Sequence, residues 1–300
     1  MPERFIKISG DKMVNDKYFK DQVAIVTGGA SGIGQGIAQR LAEEGAKVYI
    51  VSRDEDKLKK ATDQINSLHV DHTASYRKAD ITLEKQIEDV IDEIHSKEKR
   101  LDIFVNNAGD FDVVGLKTDF SKVQKLVKLN FESPTRIAKY LIHKYADNIK
   151  ILNTLSHASF RVLSSGIGYG PAKSALMDAL LHMDLELKRE NINTAASHKV
   201  KIYRLYPGAV AVGNFMELYK ADTTGELEPP TTLKSVVDLS MDLLKDKTPT
   251  RDAYVRYDPD KGIVNGFYDV NHHGKYNNPA KLIYRPQDEI IVDPDYKVEK

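Results

Sequence analysis

The chain has 300 residues, 41% apolar and 29% charged, with 44 basic and 44 acidic side chains and no cysteine. This length can bury a sizeable core. The balanced charge, with no basic block, argues against nucleic acid or an anionic membrane as a partner, and the missing cysteines exclude disulfides, thiolate catalysis and thiolate metal sites.

Residues 1–20 form a polar leader without the apolar core and small-residue cleavage site of a secretory signal, so a cytoplasmic location is expected. No apolar run is long enough to span a bilayer. Short apolar runs then alternate with helical patterns. The strand-like runs are QVAIVT (22–27), KVYIV (47–51), TASYRKA (73–79), LDIFVNN (101–107), KILNTLS (150–156) and VKIYRLY (200–206), with a last strand near DAYVRY (252–257). Between them lie apolar residues at spacings of three and four, for example Ile33, Ile37 and Leu41, or Ala172, Ala175, Leu176, Ala179, Leu180 and Met183. This alternation predicts an α/β, doubly wound, mostly parallel sheet flanked by helices on both faces, a Rossmann fold. One domain over 21–258 accommodates it. Residues 191–199 lengthen the connection before the sixth strand, and residues 259–300 read as an extension packing on the domain or on a neighbouring subunit. His272 and His273 are adjacent, their side chains diverge and no second ligand cluster accompanies them, so no metal site is expected.

The first strand runs directly into TGGASGIG, with Ser31 and Ile33 set between Gly28, Gly32 and Gly34. Glycines there let backbone N–H groups approach a pyrophosphate at a helix N-terminus, where the macrodipole favours negative charge. The second strand ends in Ser52-Arg53-Asp54, beside the adenosine ribose of a dinucleotide fold. Ser52 and Arg53 suit a 2′-phosphate, so NADP(H) is preferred with NAD(H) possible; the competing reading is that Ser52 or Asp54 only caps the next helix. Asp80, followed by Ile81, can accept from an adenine amino group, cap a helix beginning at Thr82, or do both. Asn107-Ala108-Gly109 forms a small amide-rich turn with room for a base and ribose, in which Asn107 is expected to be structural.

Tyr-x-x-x-Lys occurs four times, at Tyr140/Lys144, Tyr169/Lys173, Tyr257/Lys261 and Tyr296/Lys300, but only Tyr169 has a Ser thirteen residues earlier. That Ser156 closes a strand-like run, while Tyr169 and Lys173 open an amphipathic helix. An ammonium one turn from a phenol is expected to lower the phenol's pKa from about 10 toward catalytic use. Asn130 falls in a helix four residues before Pro134, which has no N–H. The carbonyl of residue 130 then lacks its usual donor and can hold a water beside Lys173.

TGGASGIG, NNAG at 106–109, the Asn of LVKLNFESP, the Ser/Tyr/Lys triplet and YPGAVAV follow in order over residues 22–213. With these motifs the chain resembles the short-chain dehydrogenases/reductases of the compact, single-domain type. The resemblance implies an NAD(P)-dependent oxidoreductase interconverting a carbonyl and a secondary alcohol. It implies that Ser156 bonds the substrate oxygen, Tyr169 is the acid/base, Lys173 also holds the nicotinamide ribose, and Asn130 anchors a water chain to Lys173. Pro207 and Gly208 correspond to the turn beside the nicotinamide. Val212 stands where the pattern P-G-x-V-x-T has Thr, so backbone groups around Val210 must serve and cofactor affinity is expected to suffer. The usual Gly-rich C-terminal strand is missing, so a homodimer through the two long helices is expected in preference to a tetramer. The substrate is a small carbonyl or alcohol, and its candidate pocket residues are Asp110, Phe111, His157, Phe160, Leu163 and the helix from Asn214 to Tyr219. A nucleotide-sensing regulatory protein on the same fold is the alternative, disfavoured by the presence of all four catalytic-type residues. A sugar-nucleotide epimerase would need a larger C-terminal domain.

Overall fold

Seven strands run parallel in the computed structural model, which describes residues 17–68, 74–162, 166–190, 192, 199–213, 215–221, 227, 229–270, 284–286 and 290–293. They are β1 (Val23–Thr27), β2 (Lys47–Ser52), β3 (Ala74–Lys78), β4 (Ile103–Asn106), β5 (Ile149–Thr154), β6 (Val200–Pro207) and β7 (Asp252–Asp258). Their order across the sheet is β3-β2-β1-β4-β5-β6-β7. The strand succession reverses between β1 and β4, which creates a crevice at their carboxyl ends.

The helices are α1 (Gly32–Glu43), α2 (Glu55–Ser67), α3 (Glu84–Glu98), α4 (Phe120–Val127), α5 (Ser133–Tyr145), α6 (Tyr169–Arg189), α7 (Phe215–Ala221) and α8 (Leu233–Leu244). Strand side chains alternate between faces, and two separate cores result. Ala24 and Val26 of β1 join Ile37 and Leu41 of α1, Leu58 of α2 and Val236 of α8. Val23 and Ile25 join Ile91 of α3, Ile137 of α5 and Leu176 and Leu180 of α6 on the other face.

A buried ion cluster ties the long α6 to the sheet. Arg204 on β6 forks onto Asp252 of β7 at 2.6 and 2.7 Å and reaches Asp184 of α6 at 2.5 Å. Tyr206 adds a hydroxyl donor to Asp252 at 3.0 Å. The geometry is bidentate and all three charged side chains are buried.

DAYVRY is not the last strand. β8 (Gly262–Val270) returns antiparallel to β7, from Ala253 opposite Phe267 to Asp258 opposite Gly262. β9 (Tyr284–Pro286) and β10 (Ile290–Asp293) both pair with β8. The outer edge of β7, a template for pairing with another chain if left open, is therefore covered within the chain. His272 and His273 lie outside the described residues.

The expected interruption at Pro134 takes a different form. The chain makes a π-turn over Lys128–Glu132 between α4 and α5, and Pro134 falls in the first turn of α5, where a missing N–H is tolerated. Both the N–H and the hydroxyl of Ser133 donate to the carbonyl of Lys128, the latter at 2.7 Å.

Candidate active site

One cleft of about 1010 Å³ runs along the carboxyl edge of the parallel strands. At one end is the glycine turn after β1. Gly28 has φ +66°, and a Cβ there would lie 2.9 Å from Ala108 Cα and Asn107 Nδ2. Gly34 does not face the cleft; a Cβ on it would meet the Gly28 carbonyl oxygen at 2.4 Å, so its role is close packing of α1 against the turn. Ser31 is the N-cap of α1 with extended backbone, its hydroxyl makes no capping bond, and the first turn of the helix holds no acidic residue. Ser31, Gly32 and Ile33 line the cleft. An anion-accepting helix end is thereby left open toward it.

Asn107 is a structural knot. Its backbone N–H and that of Ala108 donate to Thr27 Oγ1 at 3.0 and 3.1 Å, and its side chain donates to the Thr27 carbonyl and accepts from Thr154 Oγ1. This joins the ends of β1, β4 and β5 and floors the cleft beside Gly109.

At the end of β2, Ser52 and Arg53 line the cleft. Asp54 caps α2, accepting from the N–H of Lys57 at 3.1 Å. Arg53 is 68% exposed, with its guanidinium 3.9 Å from Asp80. Asp80 is not the cap of a helix starting at Thr82, because α3 starts at Glu84; one of its carboxylate oxygens instead accepts from both the N–H and the hydroxyl of Thr82. Asp80 and Ile81 both line the cleft.

The chemical end is built by β5 and α6. Ser156 follows β5 and caps a short 3₁₀ turn, its Oγ accepting from the N–H of Ala158 at 3.1 Å. Tyr169 is the first residue of α6, and both it and Ser156 line the cleft. Lys173, one turn on, is buried; its Nζ donates to the Thr154 carbonyl at 2.8 Å and lies 5.8 Å from the centre of the Tyr169 ring. Burial pushes Lys173 down to about 8. The phenol departs from expectation: burial raises its pKa, the Ser156 side chain opposes that, and the charge of Asp110 adds to it. In this arrangement desolvation outweighs any help from the lysine.

Asn130, fully buried in the π-turn, uses its side-chain amide to accept from the N–H of Asp110 at 3.3 Å and to donate to the carbonyls of Asp110 and Leu126 at 2.9 and 3.1 Å. A Cβ on Gly109 would lie 2.8 Å from Asn130 Oδ1 and 3.5 Å from Lys173 Nζ. Pro207, Gly208 and Val210 line the opposite wall. The segment is held by Thr231, whose N–H donates to Ala209 and whose carbonyl accepts from Ala211. Val212 packs 3.7 Å from the position of a Cβ on Gly32.

Of the expected substrate contacts, Asp110, Phe111 and His157 line the cleft, with Phe111 set edge-on to Tyr169 at 5.2 Å. Phe160 does not; its ring packs at 4.9 Å from both Tyr206 and Tyr268. Leu163 and Asn214 lie outside the described residues, while Phe215 of α7 reaches the cleft. Sequence reasoning missed Lys57, Arg161, Leu129 and Leu227. Lys57 was recoverable, standing in the first turn of the helix that follows Arg53; no local signal marks the others. Of the remaining Tyr-x-x-x-Lys pairs, Tyr140 and Lys144 both donate to Asp92 of α3, Tyr257 and Lys261 flank the β7–β8 turn, and Tyr296/Lys300 lies outside the described residues. Among the described residues no group of three metal-ligating side chains occurs, and no helix is long and apolar enough to cross a membrane.

Comparison with known proteins agrees with this geometry. The short chain dehydrogenase family model matches residues 22–222. An uncharacterized oxidoreductase of Staphylococcus epidermidis is 28% identical over 197 residues, covering 64% of this chain and 79% of the relative. A 3alpha-hydroxysteroid dehydrogenase of Mediterraneibacter gnavus is 31% identical over 186 residues, covering 59% and 72%. Among solved structures, a levodione reductase aligns with TM-score 0.67 at 22% identity, covering 76% of this chain and 92% of that one. An actinorhodin polyketide ketoreductase with NADPH aligns with TM-score 0.64 at 21% identity, covering 73% and 88%. At such identities these structures speak for the fold, and the family match speaks for the class of chemistry. The chain belongs to the short-chain dehydrogenase family of oxidoreductases.

Proposed function

We propose that the protein is an NADPH-preferring carbonyl reductase that interconverts a small carbonyl compound and its secondary alcohol. The observation that carries this reading is that Ser156, Tyr169 and a buried Lys173 line the same cleft as an open helix N-terminus. The residues present fit a nicotinamide dinucleotide. The turn from Gly28 to Gly34 and the N–H groups of α1 suit its pyrophosphate, Arg53 with Asp80 its adenosine end, and the turn at Pro207–Val210 with Lys173 its nicotinamide end. When bound in reduced form, that cofactor supplies a hydride.

The chain's own residues handle the proton. Ser156 donates a hydrogen bond to the substrate oxygen and orients it, and Tyr169 delivers a proton to that oxygen or withdraws it in the reverse direction. Lys173 re-supplies Tyr169 from beneath, and Asn130 supports the path by holding the backbone of Asp110 in place. With its pKa raised, the phenol rests protonated at neutral pH, the form that a proton donor to the carbonyl oxygen needs. Arg53 supports the NADPH preference, since a guanidinium can fork onto a 2′-phosphate. Covering of the β7 edge supports a homodimer through the two long helices over a tetramer, the missing cysteines and signal peptide support a cytoplasmic protein, and the pairing of β8, β9 and β10 supports an extension that packs on the domain.

The test is a carbonyl panel scored by NADPH oxidation, with Tyr169→Phe alongside. The variant is expected to lose activity by about 10²–10⁴-fold; full retention would overturn the role of Tyr169. Fluorescence titration should show Arg53→Ala losing about tenfold in NADPH affinity, ~1.4 kcal/mol, with NADH little changed. Tighter NADH binding by the unaltered protein would refute the cofactor preference.

A further inference from the structure

We infer that the β7–β8 hairpin, which lies wholly beyond the residues the family match covers, is a positioning device for the catalytic turn, and that Tyr268 is its positioning residue. The inference rests on reading Ser156 as a catalytic residue. The turn carrying Ser156 is short. Ser159 N–H bonds back to the Ser156 carbonyl at 3.0 Å and Phe160 N–H to the His157 carbonyl at 3.0 Å. Three residues of 3₁₀ structure make a poor hydrogen-bond ladder, so the turn depends on what packs around it.

One side is clamped by α6, where Ser174 Oγ donates to the Ser159 carbonyl at 2.8 Å. The other side meets an aromatic cluster supplied by the hairpin and β6. Tyr268 of β8 lies 4.9 Å from Phe160, 4.9 Å from Tyr254 of β7 and 5.4 Å from Tyr206, and Tyr254 lies 5.6 Å from His157. The rings at both ends of the turn, His157 and Phe160, therefore rest on the hairpin. These separations and tilted or edge-on arrangements are those aromatic pairs prefer.

Gly266 shows that the cluster is built rather than incidental. It pairs directly with Tyr254 across the hairpin, and a Cβ on it would lie 2.1 Å from Tyr254 Cζ. Only glycine lets that ring lie over β8. The model of the family ends at residue 222, before either hairpin strand begins. Phe160, misread from sequence as a substrate contact, is the link: it converts a contact made by β8 into the orientation of the Ser156 hydroxyl.

The experiment compares the full-length protein with Tyr268→Leu and Tyr268→Phe. Peptide amide exchange over residues 156–160, NADPH titration, and kcat and KM on the best substrate of the carbonyl panel are measured for each. The Leu variant should exchange about tenfold faster at 156–160 and lose roughly ten- to hundredfold in kcat, as small misplacements at a reacting centre do. KM and the NADPH dissociation constant should stay within about twofold, and the Phe variant, which keeps the ring, should restore both losses. Unchanged exchange at 156–160, or faster exchange spread equally over β1 and β2, would overturn the proposal. If Tyr268→Leu does not fold, Phe160→Leu probes the same contact with the same expected readings. If the unaltered protein reduces no carbonyl, the reductase reading fails, and the exchange measurement still decides whether the hairpin holds the turn.

Discussion

Lys173 should make the protein less stable than it would be without that charge, by an amount that depends on pH. Burial lowers it from the ordinary 10.5 to about 8. A gap of about two and a half pH units at 1.36 kcal/mol each costs the folded state about 3 kcal/mol when both states are protonated. The sign follows from proton counts. Between about 8 and 10.5 the unfolded chain holds the proton more tightly, so stability rises with pH. The penalty is full below about 8, shrinks through that window, and is gone above about 10.5. Lys173→Met removes the penalty and also the hydrogen bond to the Thr154 carbonyl at 2.8 Å, worth about 1 kcal/mol. The Met variant should be about 2 kcal/mol more stable than the unaltered protein near pH 7 and about 1 kcal/mol less stable above pH 10.5, so the difference changes sign. Urea unfolding of both proteins across this range measures it, and the many surface lysines and tyrosines cancel in the difference. A difference that does not vary with pH would refute the reasoning. Activity should be lost in the Met variant at every pH, a trade of function against stability.

Two further substitutions test the scaffold. Arg204→Met strands the carboxylates of Asp252 and Asp184, both buried, and should cost about 3–5 kcal/mol in chemical denaturation. A loss under about 1 kcal/mol would show that Arg251, 3.6 Å from Asp184, suffices. Gly34→Ala places a methyl 2.4 Å from the Gly28 carbonyl oxygen. It should lift α1 off the turn and weaken NADPH binding by more than tenfold while the sheet stays folded by circular dichroism; unimpaired binding would show that the turn yields freely.

The parallel sheet and the edge where the site lies were legible because alternating strands and amphipathic helices leave period-two and period-3.6 patterns in the chain. Tyr169 and Lys173 were legible for the same local reason, since residues four apart share a helix face, and Ser156 because it closes a strand. What local pattern could not supply was anything that depends on distant partners. The direction of the Tyr169 shift follows from how deeply the fold buries the phenol. The use of the Asn130 amide on the backbone of Asp110 requires the π-turn to meet a loop twenty residues away. Phe160 turns toward Tyr206 and Tyr268 instead of the cleft because β8, far along the chain, supplies a ring to meet it. Residue spacing by itself determined which groups could act together. Burial and strand register, which are properties of chain segments brought together from far apart, decided their charge, their orientation and what holds them.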